Sequence, residues 1–208
     1  MMLIGIDLDN TIINYGDLFV KEVRRKGWIK DRKVKTKSQV RECVRRLPNG
    51  EQKWRTLQAL VYGARIKHAK PYRGVLSFIR TCHARGISTV IVSHKTQEVN
   101  VSGKRINLRK AAMNWLAING FINPVKTGLD LDRVFFEVSR AGKLARIRKL
   151  CCTHFIDDLE EVLEHSKFPS WVKRCLFTPG KPRPELSYFS FSRWGQIKES
   201  IFDYVDAS

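Results

Sequence analysis

No apolar run in these 208 residues approaches the roughly 18–20 consecutive positions that a membrane-crossing helix needs. Cysteine is sparse and unpatterned: five residues, an odd number, with no C-x-x-C pair and no histidine ladder beside them. That excludes a disulfide framework and a zinc site; the adjacent Cys151 and Cys152 open an apolar run, where a packing role outweighs a redox one. No internal repeat and no low-complexity tract occurs. The first residues carry no basic leader and no cleavage site, and Asp7 interrupts their apolar run, so a cytoplasmic location is expected. Acid is scarce relative to base. Twenty Asp and Glu face thirty-nine Lys and Arg, a net +19, within a composition that is otherwise globular at 43% hydrophobic. Such a field favours anionic partners.

What is present is an alternation. Short, continuously apolar runs at 3–8, 88–93, 132–138, 153–157 and 172–178 have strand length, and 88–93 is rich in β-branched residues. Continuous rather than alternating apolar character predicts strands covered on both faces, as in a parallel sheet. Helical patterns lie at 73–85, 107–119, 143–150, 158–166 and 192–204; the first two end at Gly86 and Gly120, where a left-handed cap belongs. Strands alternating with helices predict an α/β fold with a Rossmann-like parallel sheet core.

Residues 16–70 break the alternation. They contain three helical patterns, about 17–27, 36–47 and 51–68, separated by turn signals that include Pro48-Asn49-Gly50. Seventeen Lys and Arg against five Asp and Glu give this stretch +12 of the total. The expected organisation is a core of 1–15 and 71–208 with a basic α-helical insertion over 16–70. Charge runs are usually solvated faces, yet an excess this dense also draws in polyanions. Trp28 and Trp54 lie within it, suited to helix packing or to stacking on a base or sugar.

Ligands of open α/β sheets collect beyond the carboxyl ends of the strands. There the sequence places Asp7 and Asp9 after the first strand, Ser93 after the second, and Asp157 and Asp158 after the fourth, with Lys143 opening the helix before it. Several carboxylates, one hydroxyl and one ammonium suit phosphoryl transfer. A carboxylate can attack, another can protonate the leaving oxygen, others can hold Mg²⁺, and Ser and Lys can bind phosphoryl oxygens. Asp158 could instead cap the helix that follows, and exposed His94 could touch a substrate or simply face solvent. Thr11 is expected to order the loop after Asp7 through its hydroxyl, with Asn10 in the same role.

This ordered set resembles the haloacid dehalogenase (HAD) superfamily of phosphohydrolases. The first family motif, D-x-D-x-T, stands as Asp7-Leu8-Asp9-Asn10-Thr11; the second ends in Ser93; the third Lys is matched by Lys143, and the fourth by Asp157-Asp158. Lys126 and Lys149 are alternatives for the third, with spacing and a helix-start position favouring Lys143. Ile156 replaces the Gly that many members carry before the fourth motif. The resemblance covers 1–13 and 71–178. It implies Asp7 as nucleophile and Asp9 as acid and base, with Ser93, Lys143, Asn10 and Thr11 around the phosphate. It implies Mg²⁺ held by Asp7, the Asp9 carbonyl, Asp157 and Asp158. Asp9 points to phosphate esters rather than carbon–halogen bonds, and the 16–70 insertion occupies the position of the family's substrate-reading cap. A phosphorylated, polyanionic substrate is therefore expected. The alternative is a nucleic-acid- or polyanion-binding protein that uses the same scaffold without turnover.

Overall fold

In the computed structural model, residues 2–101, 103–180, 183 and 186–206 are described, with the backbone alone at 104 and 204–206. In chain order the strands are β1 (Leu3–Ile6), β2 (Ile13–Asn14), β3 (Lys70–Pro71), β4 (Ser88–His94), β5 (Glu98–Val101), β6 (Lys104–Asn107), β7 (Val134–Glu137), β8 (His154–Asp157), β9 (Lys173–Phe177) and β10 (Phe189–Phe191). The α-helices are α1 (Gly16–Arg25), α2 (Lys37–Arg45), α3 (Gly50–Tyr62), α4 (Val75–Ala84), α5 (Leu108–Ile118), α6 (Pro124–Thr127), α7 (Arg140–Lys149), α8 (Glu160–Leu163) and α9 (Trp194–Asp206). All five expected strands and all eight expected helices form, although α8 is a single turn. The Pro-rich loop expected at 179–185 falls partly outside the described residues.

Two compact units emerge. Unit 1 comprises 1–12, 71–95 and 119–208; unit 2 comprises 13–70 and 96–118. In unit 1 six parallel strands run in the order β10-β9-β8-β1-β4-β7. β1 lies inside the sheet, so both faces of its apolar run are covered; Ile4, Ile6 and Leu8 are fully buried. α7 brings Leu144 and Ile147 into a cluster with Val90, Val92, Phe155 and Leu176. Each such side chain contributes about 1.5–3 kcal/mol by leaving water. α4 and α9 pack together, with the Phe78 ring 5.2 Å from Trp194 and 5.9 Å from Phe202.

Unit 2 is built on α1, α2 and α3. Thr36 and Gln39 close a reciprocal capping box at the start of α2. The expected turn at Pro48-Asn49-Gly50 places Asn49 in the left-handed region, at φ 54°. Gly50 is needed there because a Cβ would lie 2.2 Å from the Arg45 carbonyl oxygen. Trp54 is almost fully buried and stacks on Phe19, with ring centroids 5.2 Å apart.

The expected boundary takes in only part of this unit. Residues 96–118, assigned to the core from sequence, pack instead with the helical insertion. β5 and β6 form an antiparallel hairpin, and the missing side chain of Gly63 lets Ile106 come so close that a Cβ would lie 2.5 Å from it. Trp115 on α5 is buried, and its indole N–H donates to the Ala69 carbonyl at 3.0 Å.

Candidate active site

Strand register assembles the site. Ile6 pairs with Ile91 on β4 and Ile156 on β8, so Asp7, one step further, is flanked by the ends of both strands. Its amide donates to the Ile156 carbonyl at 2.9 Å, which fixes the carboxylate beside Asp157. Asp7, Asp157 and Ser93 are all buried, with 5%, 0% and 1% of their surfaces exposed. Carboxylate oxygens of Asp7, Asp157 and Asp158 lie within 4.8 Å of one another.

Lys143 enters this cluster from the first turn of α7. That helix starts three residues earlier than the apolar pattern suggests, because Ser139 caps it through a bond from the Gly142 amide at 3.0 Å. The Lys143 ammonium donates to Asp7 Oδ1 at 2.6 Å and to Asp157 Oδ2 at 2.7 Å. Burial alone would lower its pKa, but the Asp157 and Asp7 carboxylates outweigh that and hold it above its ordinary value. Burial is also the largest influence on Asp7. With Asp157 and Asp9 nearby it exceeds the pull of Lys143 and pushes the Asp7 carboxyl up to about 7. Lys126 and Lys149, the alternatives, are exposed.

Asp158 does not cap the helix after it. The N-cap of α8 is Leu159, and its amide donates to Asp157 Oδ1 at 3.0 Å. Asp157 therefore holds the loop while Asp158 joins the acidic cluster. Thr11 orders its loop differently from expectation. Its hydroxyl is buried and makes no hydrogen bond, whereas its carbonyl accepts the Trp194 indole N–H at 3.2 Å. Asn10 takes a left-handed conformation, φ 63°, which turns the chain sharply after Asp9. His94 is exposed, with Nε2 3.2 Å from the Val138 carbonyl.

One buried side chain beside these residues has no counterpart in the sequence reading. Lys95, only 3% exposed, puts its ammonium 2.9 Å from Asp9 Oδ1 and 2.7 Å from Oδ2. Its amide is anchored to the Glu137 carbonyl at 2.9 Å, at the end of β7. The available signal was its place two residues after Ser93, on the same carboxyl edge as the carboxylates.

The charges of the acidic cluster fit a divalent cation. Three carboxylates face one ammonium, so the cluster carries −2 when all are ionised, and hard oxygen donors suit Mg²⁺. The Asp9 carboxylate is not part of that cluster and pairs with Lys95.

Unit 2 has a feature of its own. A cleft of about 1010 Å³ is lined by Lys21, Arg24, Lys30, Arg32 and Lys35, against Asp17 as the only acid in its wall. Arg24 ties it together by donating to the Arg32 and Val34 carbonyls at 3.3 and 3.0 Å. Trp54 serves helix packing, while the half-buried Trp28 lies beneath the Lys26 ammonium, 4.8 Å from its centroid.

No family model and no curated protein matches the sequence. Solved structures do match, across nearly the whole length. A HAD family hydrolase from Deinococcus radiodurans with bound phosphate and sodium aligns over 97% of this chain and 95% of its own, at 11% identity and TM-score 0.59. A HAD hydrolase of family IA from Entamoeba histolytica aligns over 94% and 95%, at 11% identity and TM-score 0.58. A predicted phosphoglycolate phosphatase from Haemophilus somnus aligns over 97% and 98%, at 13% identity and TM-score 0.55. The chain has a HAD-like α/β fold.

Proposed function

We propose that this protein is a Mg²⁺-dependent phosphohydrolase that cleaves a phosphate monoester through an aspartyl-phosphate on Asp7. The observation that carries the reading is the buried contact of Asp7 with Lys143, beside Asp157 and Asp158, at the carboxyl edge of the sheet. A lone acidic strand end needs no buried lysine, whereas a nucleophile that must approach an anionic phosphoryl group does. The fold shared with a phosphate-bound hydrolase supports the same reading.

In the first step an Asp7 oxygen attacks phosphorus, and the P–O bond to the ester oxygen breaks as Asp9 supplies that oxygen with a proton. In the second, Asp9 takes a proton from water, the water oxygen attacks phosphorus, and inorganic phosphate leaves with Asp7 restored. An ammonium has three N–H groups. Asp7 and Asp157 take two of those on Lys143, leaving the third for a phosphoryl oxygen; the Ser93 hydroxyl serves a second. Lys95 holds Asp9 by both carboxylate oxygens and so sets where its proton is given and taken. Asp7, Asp157, Asp158 and the Asp9 carbonyl would hold Mg²⁺, which when bound offsets negative charge on the phosphoryl group.

The basic unit supports a polyanionic substrate. Unit 2 holds twenty-one Lys and Arg against six Asp and Glu, a net +15, and is tethered covalently to the catalytic unit. Its field raises the local concentration of anions and their encounter rate. A binding protein without turnover is not favoured, because it has no use for two buried lysine–carboxylate contacts. Phosphate release from sugar phosphates, nucleotides and phosphorylated oligonucleotides, with Mg²⁺ or with chelator, tests the reading. Release that needs the metal and vanishes in Asp7→Asn is expected. No release from any ester, with salt-sensitive oligonucleotide binding retained in the variant, would overturn it.

A further inference from the structure

Unit 1 contains a second concavity, of about 560 Å³, at the same edge of the sheet. β10 and β9 are parallel to the strands that carry the catalytic carboxylates, so Ser192 and Arg193, just past β10, emerge on the carboxyl side. Arg73 and Tyr72 meet them there. Tyr72 joins this cavity to the segment that follows Asp9. Its ring packs edge-on against Phe177 at 4.9 Å, and its amide donates to the Ile12 carbonyl at 2.9 Å. Trp194 makes a second link. It lines the cavity and donates to the carbonyl of Thr11, in the loop that follows Asp9.

The lining is rich in donors. Arg73 and Arg193 are exposed, and among the described residues neither pairs with a carboxylate; Glu199 is the single acid in the wall. Gln196 Oε1 accepts from the Ser192 amide at 3.0 Å and hydroxyl at 3.1 Å, leaving its NH₂ group as a donor. Phe177 and Trp194, 5.5 Å apart and almost fully buried, give the cavity an apolar aromatic wall. Arginine pairs, amide donors and an apolar wall recognise an oxyanion carried on a carbon skeleton. The volume lies within the ~300–1,000 Å³ range of small-molecule pockets.

We propose that this cavity is a subsite for a second anionic group of the substrate, a carboxylate or a phosphate, held by Arg73 and Arg193 while Asp7 acts on the first phosphoryl group. The inference rests on the phosphohydrolase reading and adds a specificity determinant inside unit 1, apart from the basic unit.

The test is a selectivity ratio on three esters of one skeleton: glucose 6-phosphate, 6-phosphogluconate and glucose 1,6-bisphosphate. Parent, Arg73→Met, Arg193→Met and the double variant are compared by kcat/KM. The parent is expected to prefer one of the doubly charged esters over glucose 6-phosphate, and the preferred one identifies carboxylate or phosphate. In the double variant that preference falls at least tenfold, chiefly through KM, and Arg193→Lys restores part of it. A ratio that stays at the parent value in correctly folded double variant overturns the subsite, while phosphate release abolished by Asp7→Asn leaves the phosphohydrolase standing. A parent with no preference for either doubly charged ester also overturns the subsite. No release from any ester by the parent removes both.

Discussion

Unit 1 holds eighteen Lys and Arg against fourteen Asp and Glu, whereas unit 2 holds twenty-one against six. The two use these charges in opposite ways. In unit 1 the decisive cations, Lys143 and Lys95, are buried and matched to carboxylates at 2.6–2.9 Å. In unit 2 Lys21, Lys30, Arg32 and Lys35 line an open cleft, and among the described residues none is ion-paired. Buried, paired charges are costly to remove one at a time and fix geometry; exposed, unpaired ones act at a distance and are screened by salt. Under the proposed function, unit 1 supplies the chemistry and unit 2 the attraction.

The comparison breaks most sharply at Asp7. Asp7→Asn removes the attacking oxygen, and turnover should fall by about 10⁴-fold or more in steady-state assays, with substrate binding retained. A smaller but more diagnostic loss is expected at Lys95. Lys95→Met should lower kcat by about 10²–10³-fold for alkyl phosphates, because Asp9 loses its orientation. For p-nitrophenyl phosphate, whose leaving group needs no proton, the loss should be clearly smaller. Equal losses on both esters would mean that Lys95 only supports the fold.

Charge reversal in unit 2 should behave differently. Lys30→Glu with Lys35→Glu is expected to reduce kcat/KM for polyanionic esters by about tenfold at low salt and hardly at all at 0.5 M salt, where the Debye length falls to about 4 Å. A loss that persists at high salt would mean direct contact instead of long-range attraction.

The smallest expected effect is on stability. Folding raises the Asp7 pKa from 3.8 to about 7, so the folded state binds more protons across that interval. Metal-free protein therefore loses stability as pH rises from about 4 through about 7. Asp7→Asn abolishes that loss and should stabilise metal-free protein at pH 8 by about 1–2 kcal/mol, since the gain is reduced by taking one partner from Lys143. Thermal unfolding across pH checks this, and a parallel pH dependence in the two proteins would contradict it.

The same contrast explains what was legible in the sequence. Strands buried on both faces announce themselves as continuous apolar runs, and polar residues that stop such runs mark the carboxyl edge. Asp7, Asp9, Ser93, Asp157 and Asp158 were therefore visible. Lys143 was read through its spacing, with Lys149 and Lys126 as alternatives; among the three it is the one buried against Asp7 and Asp157. Lys95 was not read, because one lysine among nineteen carries no mark of burial and its place two residues after Ser93 is a weak signal by itself. The allegiance of 96–118 was hidden for a related reason. β5 and β6 are short, polar strands whose place is set by contacts distant in sequence, such as Ile106 with Gly63 and Trp115 with Ala69. The first unit is legible because local pattern and tertiary burial agree there; the second is extended by contacts that local pattern does not encode.

The proposed reaction passes through a phosphorylated Asp7. Rapid mixing with the best ester of the panel, acid quench within one turnover and tandem mass spectrometry of the N-terminal peptide would test it most directly. A phosphoryl group on Asp7 that forms and decays at rates compatible with kcat, and none in Asp7→Asn, is expected. Phosphate release with Asp7 never modified, or with the phosphoryl group on another residue, would contradict it.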